Sequence, residues 1–115
     1  MRIIISGAKD FNDYNLLRDK MDSLTKSLTR VVVISSGNKG AAKLGLQWAY
    51  ERMHMYIIHH PDMGIYGRKA DHKVNEWLVG DADSVVVFGG EQEELVKDLL
   101  LKAIHKGLKT RRVEV

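Results

Sequence analysis

The chain has 115 residues, 44% apolar and 29% charged, with 18 Lys and Arg against 15 Asp and Glu for a net charge of +3. That length can bury a core without staples, so one domain over residues 1–115 is expected. The absence of cysteine excludes disulfides and thiolate metal sites and fits a reducing cytoplasm, and the opening apolar run, Ile3–Ile5, is too short for a signal peptide or a membrane span. The surplus positive charge gathers near the end, at Lys106, Lys109, Arg111 and Arg112. It lacks the dense stripe and aromatic context that nucleic-acid binding requires, so no nucleic-acid partner is expected.

In chain order, β-branched runs alternate with helical patterns. Arg2–Ser6 (RIIIS) reads as a first strand. Leu17, Met21, Leu24 and Leu28 then follow a helical period behind a cap at Asn12 or Asp13. Val31–Ser35 (VVVIS) is a second strand, followed by the apolar face Ala41, Leu44, Gly45 and Trp48. Met55–His59 (MYIIH) is a third, and Ala70, Val74, Trp77 and Leu78 form a helix ending at Gly80. Ser84–Phe88 (SVVVF) is a fourth, followed by Leu95, Val96, Leu99, Leu100 and Ala103 with Gly107 as the stop. Thr110–Val115 closes the series. Strands 1, 2 and 4 are continuous apolar runs, as expected of strands covered on both faces. The alternation predicts an α/β fold: a three-layer, doubly wound, mainly parallel sheet of five strands, Rossmann-like.

Ligands in such sheets bind beyond the carboxyl ends of the strands, which directs attention to four loops. In SSGNKGA (Ser35–Ala41), Gly37 and Gly40 allow close backbone approach. Free N–H groups at the helix start attract an anion, and Ser36, Asn38 and Lys39 add donors and charge. The spacing is neither that of a P-loop nor GxGxxG, and no cofactor is expected. SGAKDF (Ser6–Phe11) offers Gly7 and Lys9, with Phe11 read as a hydrophobic staple. HHPDMGIYGRK (His59–Lys69) is read as a long loop. It carries Tyr66, a planar ring, and Arg68, a fork for phosphate or carboxylate. His59 and His60 point to opposite faces of a strand and are poorly placed to chelate one ion, so no metal site is expected.

FGGEQEE (Phe88–Glu94) pairs Gly89 and Gly90 with Glu91, Glu93 and Glu94. Glutamates in a first helical turn are stabilised by the macrodipole. They oppose a phosphate placed directly on that terminus, yet a carboxylate there can accept from a ribose hydroxyl or a base amino group.

These four loops resemble the SLOG superfamily, the Rossmann-like group that includes DprA-type proteins and LOG-type phosphoribohydrolases. They are most similar to its short stand-alone members in bacteria and phages. The matching segments are Ser6-Gly7-Ala8-Lys9-Asp10-Phe11, with Lys9 in the place of an Arg, and Ser36-Gly37-Asn38-Lys39-Gly40-Ala41-Ala42, followed by Trp48-Ala49. Tyr66 to Asn75 matches a third motif, with Asp71 in place of a Gly and Val74 in place of an Arg. Phe88-Gly89-Gly90-Glu91-Gln92-Glu93 is a reduced form of the fourth.

The resemblance implies a small nucleotide or nucleotide-derived signal as ligand, held without turnover by a sensor or sequestering protein. In that reading Gly37, Asn38, Lys39 and Gly40 hold phosphate, with Lys9 and Arg68 assisting. Tyr66 stacks, and Glu91 or Glu93 meets ribose or base. The alternatives are a LOG-like nucleotide phosphoribohydrolase, in which Glu91 or Glu93 would be catalytic, and an interaction protein that has lost the pocket. A homo-oligomer is expected from the fourth helix, where Leu99, Leu100, Leu101 and Ile104 nearly encircle the axis.

Overall fold

The computed structural model describes residues 1–115. Its strands are β1 (Arg2–Gly7), β2 (Val32–Ser35), β3 (Met55–Ile58), β4 (Ser84–Phe88) and β5 (Lys109–Val113). Its helices are α1 (Tyr14–Thr25), α2 (Ala41–Glu51), α3 (Met63–Tyr66), α4 (Ala70–Gly80) and α5 (Glu94–Lys106). The strands form one sheet in the order β3-β2-β1-β4-β5, and every pairing is parallel. This is the Rossmann-like, doubly wound arrangement expected from the strand–helix alternation.

The continuous apolar strands divide their side chains between two cores. Ile3, Ile5, Val33, Val86 and Phe88 face α1 and α2, where Leu17, Met21, Trp48 and Ala49 meet them. Ile4, Ile34, Val85 and Val87 face α4 and α5 and pack on Val74, Leu78, Val96, Leu99 and Ala103. Burying each large aliphatic side chain stabilises the fold by about 1.5–3 kcal/mol, and a one-residue slip in β1 would exchange the two sets. Phe11 is buried and packs on Phe88, with ring centroids 5.6 Å apart, in the same core cluster as Leu17 and Met21 of the helix that follows it.

Two segments differ from the sequence reading. Leu28 lies beyond the end of α1 and reaches its core from the connecting turn. The segment read as a long loop is wound up: Asp62 caps α3 by accepting from the Ile65 amide at 3.1 Å, and a 3-10 turn (Gly67–Lys69) leads into α4. A four-residue helix is too short to show an apolar period, and only the capping Asp could have signalled it.

A polar pin joins α1 to α2. Asp22 accepts from Arg52 Nε and Nη2 at 2.9 and 2.7 Å and from Trp48 Nε1 at 2.9 Å. Thus fully buried Trp48 satisfies its one donor. The Arg52 hydrogen bond, opposed by partial burial and helped by Trp48, pulls the Asp22 carboxyl from an ordinary 3.8 to about 2. A carboxyl depressed on folding stabilises the protein above its unfolded pKa, and that contribution disappears as the pH falls through the folded value. Asp22→Asn is therefore expected to melt below the parent at neutral pH, with the gap closing between about pH 4 and pH 2. Thermal denaturation by circular dichroism across that range measures it. A gap that does not change with pH would refute the pin.

Candidate functional site

The chain leaves β1 toward β2 on one side and returns in β4 on the other, so the crevice at their carboxyl ends is the topological switch point. The loops that meet there are joined through one residue, Ala8. The Ala8 amide donates to Phe88 O at 3.1 Å, and Ala8 O accepts from the amides of Ala41 and Phe11, both at 3.2 Å. Gly40 and Gly90 flank this residue at φ +84° and +76°, where L-residues are strained. A Cβ on Gly40 would fall 2.1 Å from Ala8 O, and one on Gly90 would fall 2.7 Å from Ala8 N. These two glycines bring backbones together.

The second loop also spends donors on itself. Ser35 Oγ accepts from the Gly37 amide at 3.0 Å and donates to Ala42 O at 3.3 Å, while Ser36 Oγ accepts from the Asn38 amide at 3.2 Å. With the Ala41 amide given to Ala8, three of the N–H groups expected to meet an anion already have partners. Asn38, Lys39 and Ala42 line the cleft beside these engaged amides.

That cleft encloses about 270 Å³. Ser6, Gly7 and Lys9 line it from the first loop, Ser36, Asn38, Lys39 and Ala42 from the second, and Glu93, Leu95 and Val96 from the start of α5. Asp71 and Asn75, four residues apart on one face of α4, form the remaining wall. The N-terminal ends of α2 and α5 therefore face one space, and Lys9 and Lys39 share it with Asp71 and Glu93.

Each glutamate of the fourth loop has its own direction. Glu93, the extended residue before α5, reaches across to the Lys9 amide, which donates to its carboxylate at 3.2 and 3.4 Å. Glu94 is exposed in the first turn, 3.5 Å from His72 Nε2. Glu91 is half-buried and outside the cleft lining. Asn75 is buried and donates to Leu95 O at 3.0 Å and Asp98 Oδ2 at 2.9 Å, fixing α4 against the first turn of α5. Partial burial works against the charged form of Asp98. The hydrogen bonds from Lys102 and Asn75 outweigh it and hold that carboxyl below its ordinary range.

The remaining residues singled out in the sequence lie elsewhere. Gly89 is buried beside Val115. Tyr66 packs edge-on against Trp77, with centroids 5.8 Å apart, under the Lys73 ammonium, and lines a separate hollow with Lys69, His72 and Glu76. Arg68 is exposed on the 3-10 turn. His59 turns toward Asp81, at 3.5 Å, while His60 is exposed.

Ser6, Asp71 and Asn75 line the cleft although the sequence assigns them no ligand contact. The spacing of Asp71 and Asn75 on a helix was the available signal. A larger hollow of about 620 Å³ lies between the C-terminal halves of α4 and α5. It has no strand end and no helix N-terminus, so the smaller cleft is the better candidate on chemical grounds.

Gly40→Ala and Gly90→Ala are each expected to lower stability in denaturant titrations by at least about 2 kcal/mol, because positive φ and a backbone clash add. Lys39→Ala, at an exposed side chain, is expected to change it by no more than about 0.5 kcal/mol. Glycine variants as stable as the parent would contradict the loop junction.

The family model YAcAr, described as the YspA, cpYpsA-related SLOG family, matches residues 1–66. That stretch runs from β1 through α3 and contains the first two loops of the cleft. No curated protein and no solved structure gave a match. With more than half of its length matched and a Rossmann-like sheet beneath it, the chain belongs to the YAcAr family of SLOG proteins.

Proposed function

We propose that the cleft at the switch point binds a small nucleotide or nucleotide-derived ligand through a single phosphate group and holds it without turnover. The observation that carries this reading is the pairing of opposite charges in one small space. Lys9 and Lys39 line the cleft together with Glu93 and Asp71, and the Glu93 carboxylate lies on the Lys9 amide.

A phosphate near Lys39 and the first turn of α2 gains charge-assisted hydrogen bonds and the favourable end of the helix dipole. A ribose or base beyond it donates to Glu93 or Asp71. A second phosphate carried toward Glu93 would meet a like charge, at a cost of about 3 kcal/mol for unit charges 5 Å apart at an effective dielectric of 20. The charge pattern therefore favours a monophosphate or a singly charged diester over a polyphosphate.

Turnover of an N-glycosidic bond would need a carboxyl placed at the developing oxocarbenium. Glu93 is the one carboxylate of the fourth loop that lines the cleft, and it is engaged by the Lys9 amide. That engagement favours a binding role for it. SLOG membership supports a nucleotide-related ligand and leaves its identity to experiment. In this reading Tyr66 and Arg68 make no direct contact.

Isothermal titration of ligand-stripped protein with mono-, di- and cyclic nucleotides tests the proposal, with chromatography of each mixture for released base. One site per chain with a preference for a single phosphate is expected, and Lys39→Ala is expected to weaken binding roughly tenfold. Absence of binding across the panel would reject the proposal. Release of free base, lost in Glu93→Gln, would replace it with the hydrolase reading.

A further inference from the structure

The strand order leaves two edges, β3 and β5. An edge strand presents unpaired N–H and C=O groups, and charged side chains are one way to keep it from pairing with another chain. β5 is protected in this way: Lys109, Arg111 and Arg112 are exposed along its five residues. β3, Met55-Tyr56-Ile57-Ile58, has no charge and no proline.

Apolar exposure is concentrated at this undefended edge. On β3, Met55, Tyr56 and Ile58 are 69%, 46% and 36% exposed, and flanking it are Met53 at 93%, Met63 at 59% and Ile65 at 74%. Met53 precedes the strand and Met63 and Ile65 follow it, so exposed apolar residues continue beyond both ends of the open edge. Single exposed apolar residues need no explanation, but a grouping of this extent around an open strand does.

We propose that β3 is the contact edge for a second copy of this chain, pairing antiparallel about a twofold axis normal to the sheet to give one continuous ten-stranded sheet. Residues directly opposite in an antiparallel pair share a face, so the symmetric ladder centres on Tyr56 or on Ile57. A second copy fits because the edge is self-complementary: its juxtaposition with itself brings no like charges together over Met55–Ile58. Self-pairing of β5 would bring Lys109, Arg111 and Arg112 of the two copies close together, which is unfavourable. A head-to-tail pairing of β3 with β5 is heterologous and leaves a free β3 and a free β5 edge on every pair. The competing surface is the outer face of α5, where Leu101 is 68% and Ile104 54% exposed.

Light scattering coupled to size exclusion, and sedimentation over a concentration series of the full chain, decide between these surfaces. The parent is expected to be a dimer. The double variant Met55→Lys/Tyr56→Lys alters exposed side chains and is expected to keep the parent's circular dichroism while raising the dimer Kd at least roughly thirtyfold. Leu101→Lys is expected to remain a dimer. Hydrogen exchange adds an independent readout, since outward amides of β3 are expected to be protected in the parent and to lose protection in the double variant. A parent that is monomeric up to its solubility limit overturns the proposal, as does a dimer that survives the double variant.

Discussion

The carboxyl edge of the sheet is organised by close packing around the backbone of Ala8. Its N–H is paired with β4, its C=O is paired with the first amide of α2, and Gly40 and Gly90 lie against its two sides. Polar backbone groups at this depth must be paired, and only glycine lets both neighbouring loops approach closely enough. Once the three loops are locked, the starts of α2 and α5 point into the same space. Lys9 comes within reach of Glu93, and the cleft takes its width from the junction.

This junction changes what the glycine-rich loops mean. Gly-Gly before a helix and Ser-Gly-x-x-Gly before another both suggest backbone donors waiting for phosphate. In this fold several of those donors are already engaged, two by serine hydroxyls and one by a neighbouring carbonyl. The charged groups that line the cleft are Lys9 and Lys39 beside Glu93 and Asp71, and the proposed anion site rests on those lysines and the α2 dipole. A site of mixed charge selects for shape and for the position of one negative group, where a purely cationic site would take any polyphosphate.

The two sides of the sheet reach stability by different means. The α1–α2 side combines apolar burial with the Asp22–Arg52–Trp48 pin. The α4–α5 side uses Asn75 and Asp98 to fix two helices whose first turns form the cleft wall. Both polar clusters are partly open to solvent, so their contribution is geometric more than energetic. They set helix positions over cores that hydrophobic burial already holds.

The sequence by itself determined the order of the five strands and four longer helices, the parallel sheet, the two-sided burial of β1, β2 and β4, a cap at Asn12 or Asp13 and the Gly107 stop. These follow from hydrophobic period and local backbone chemistry, which a linear pattern records. It also pointed to the strand ends as the place for a ligand, and Gly7, Lys9, Ser36, Asn38, Lys39 and Glu93 do line the cleft found there. What only the tertiary structure decided is how the remaining loop residues are used. Gly40 and Gly90 close on Ala8, Tyr66 turns to Trp77, Arg68 stays on an outer turn, and Asp71 and Asn75 enter the wall. Each of those outcomes depends on contacts between segments far apart in the chain. The directions of adjoining loops, and the donors they consume in meeting, have no local period to mark them.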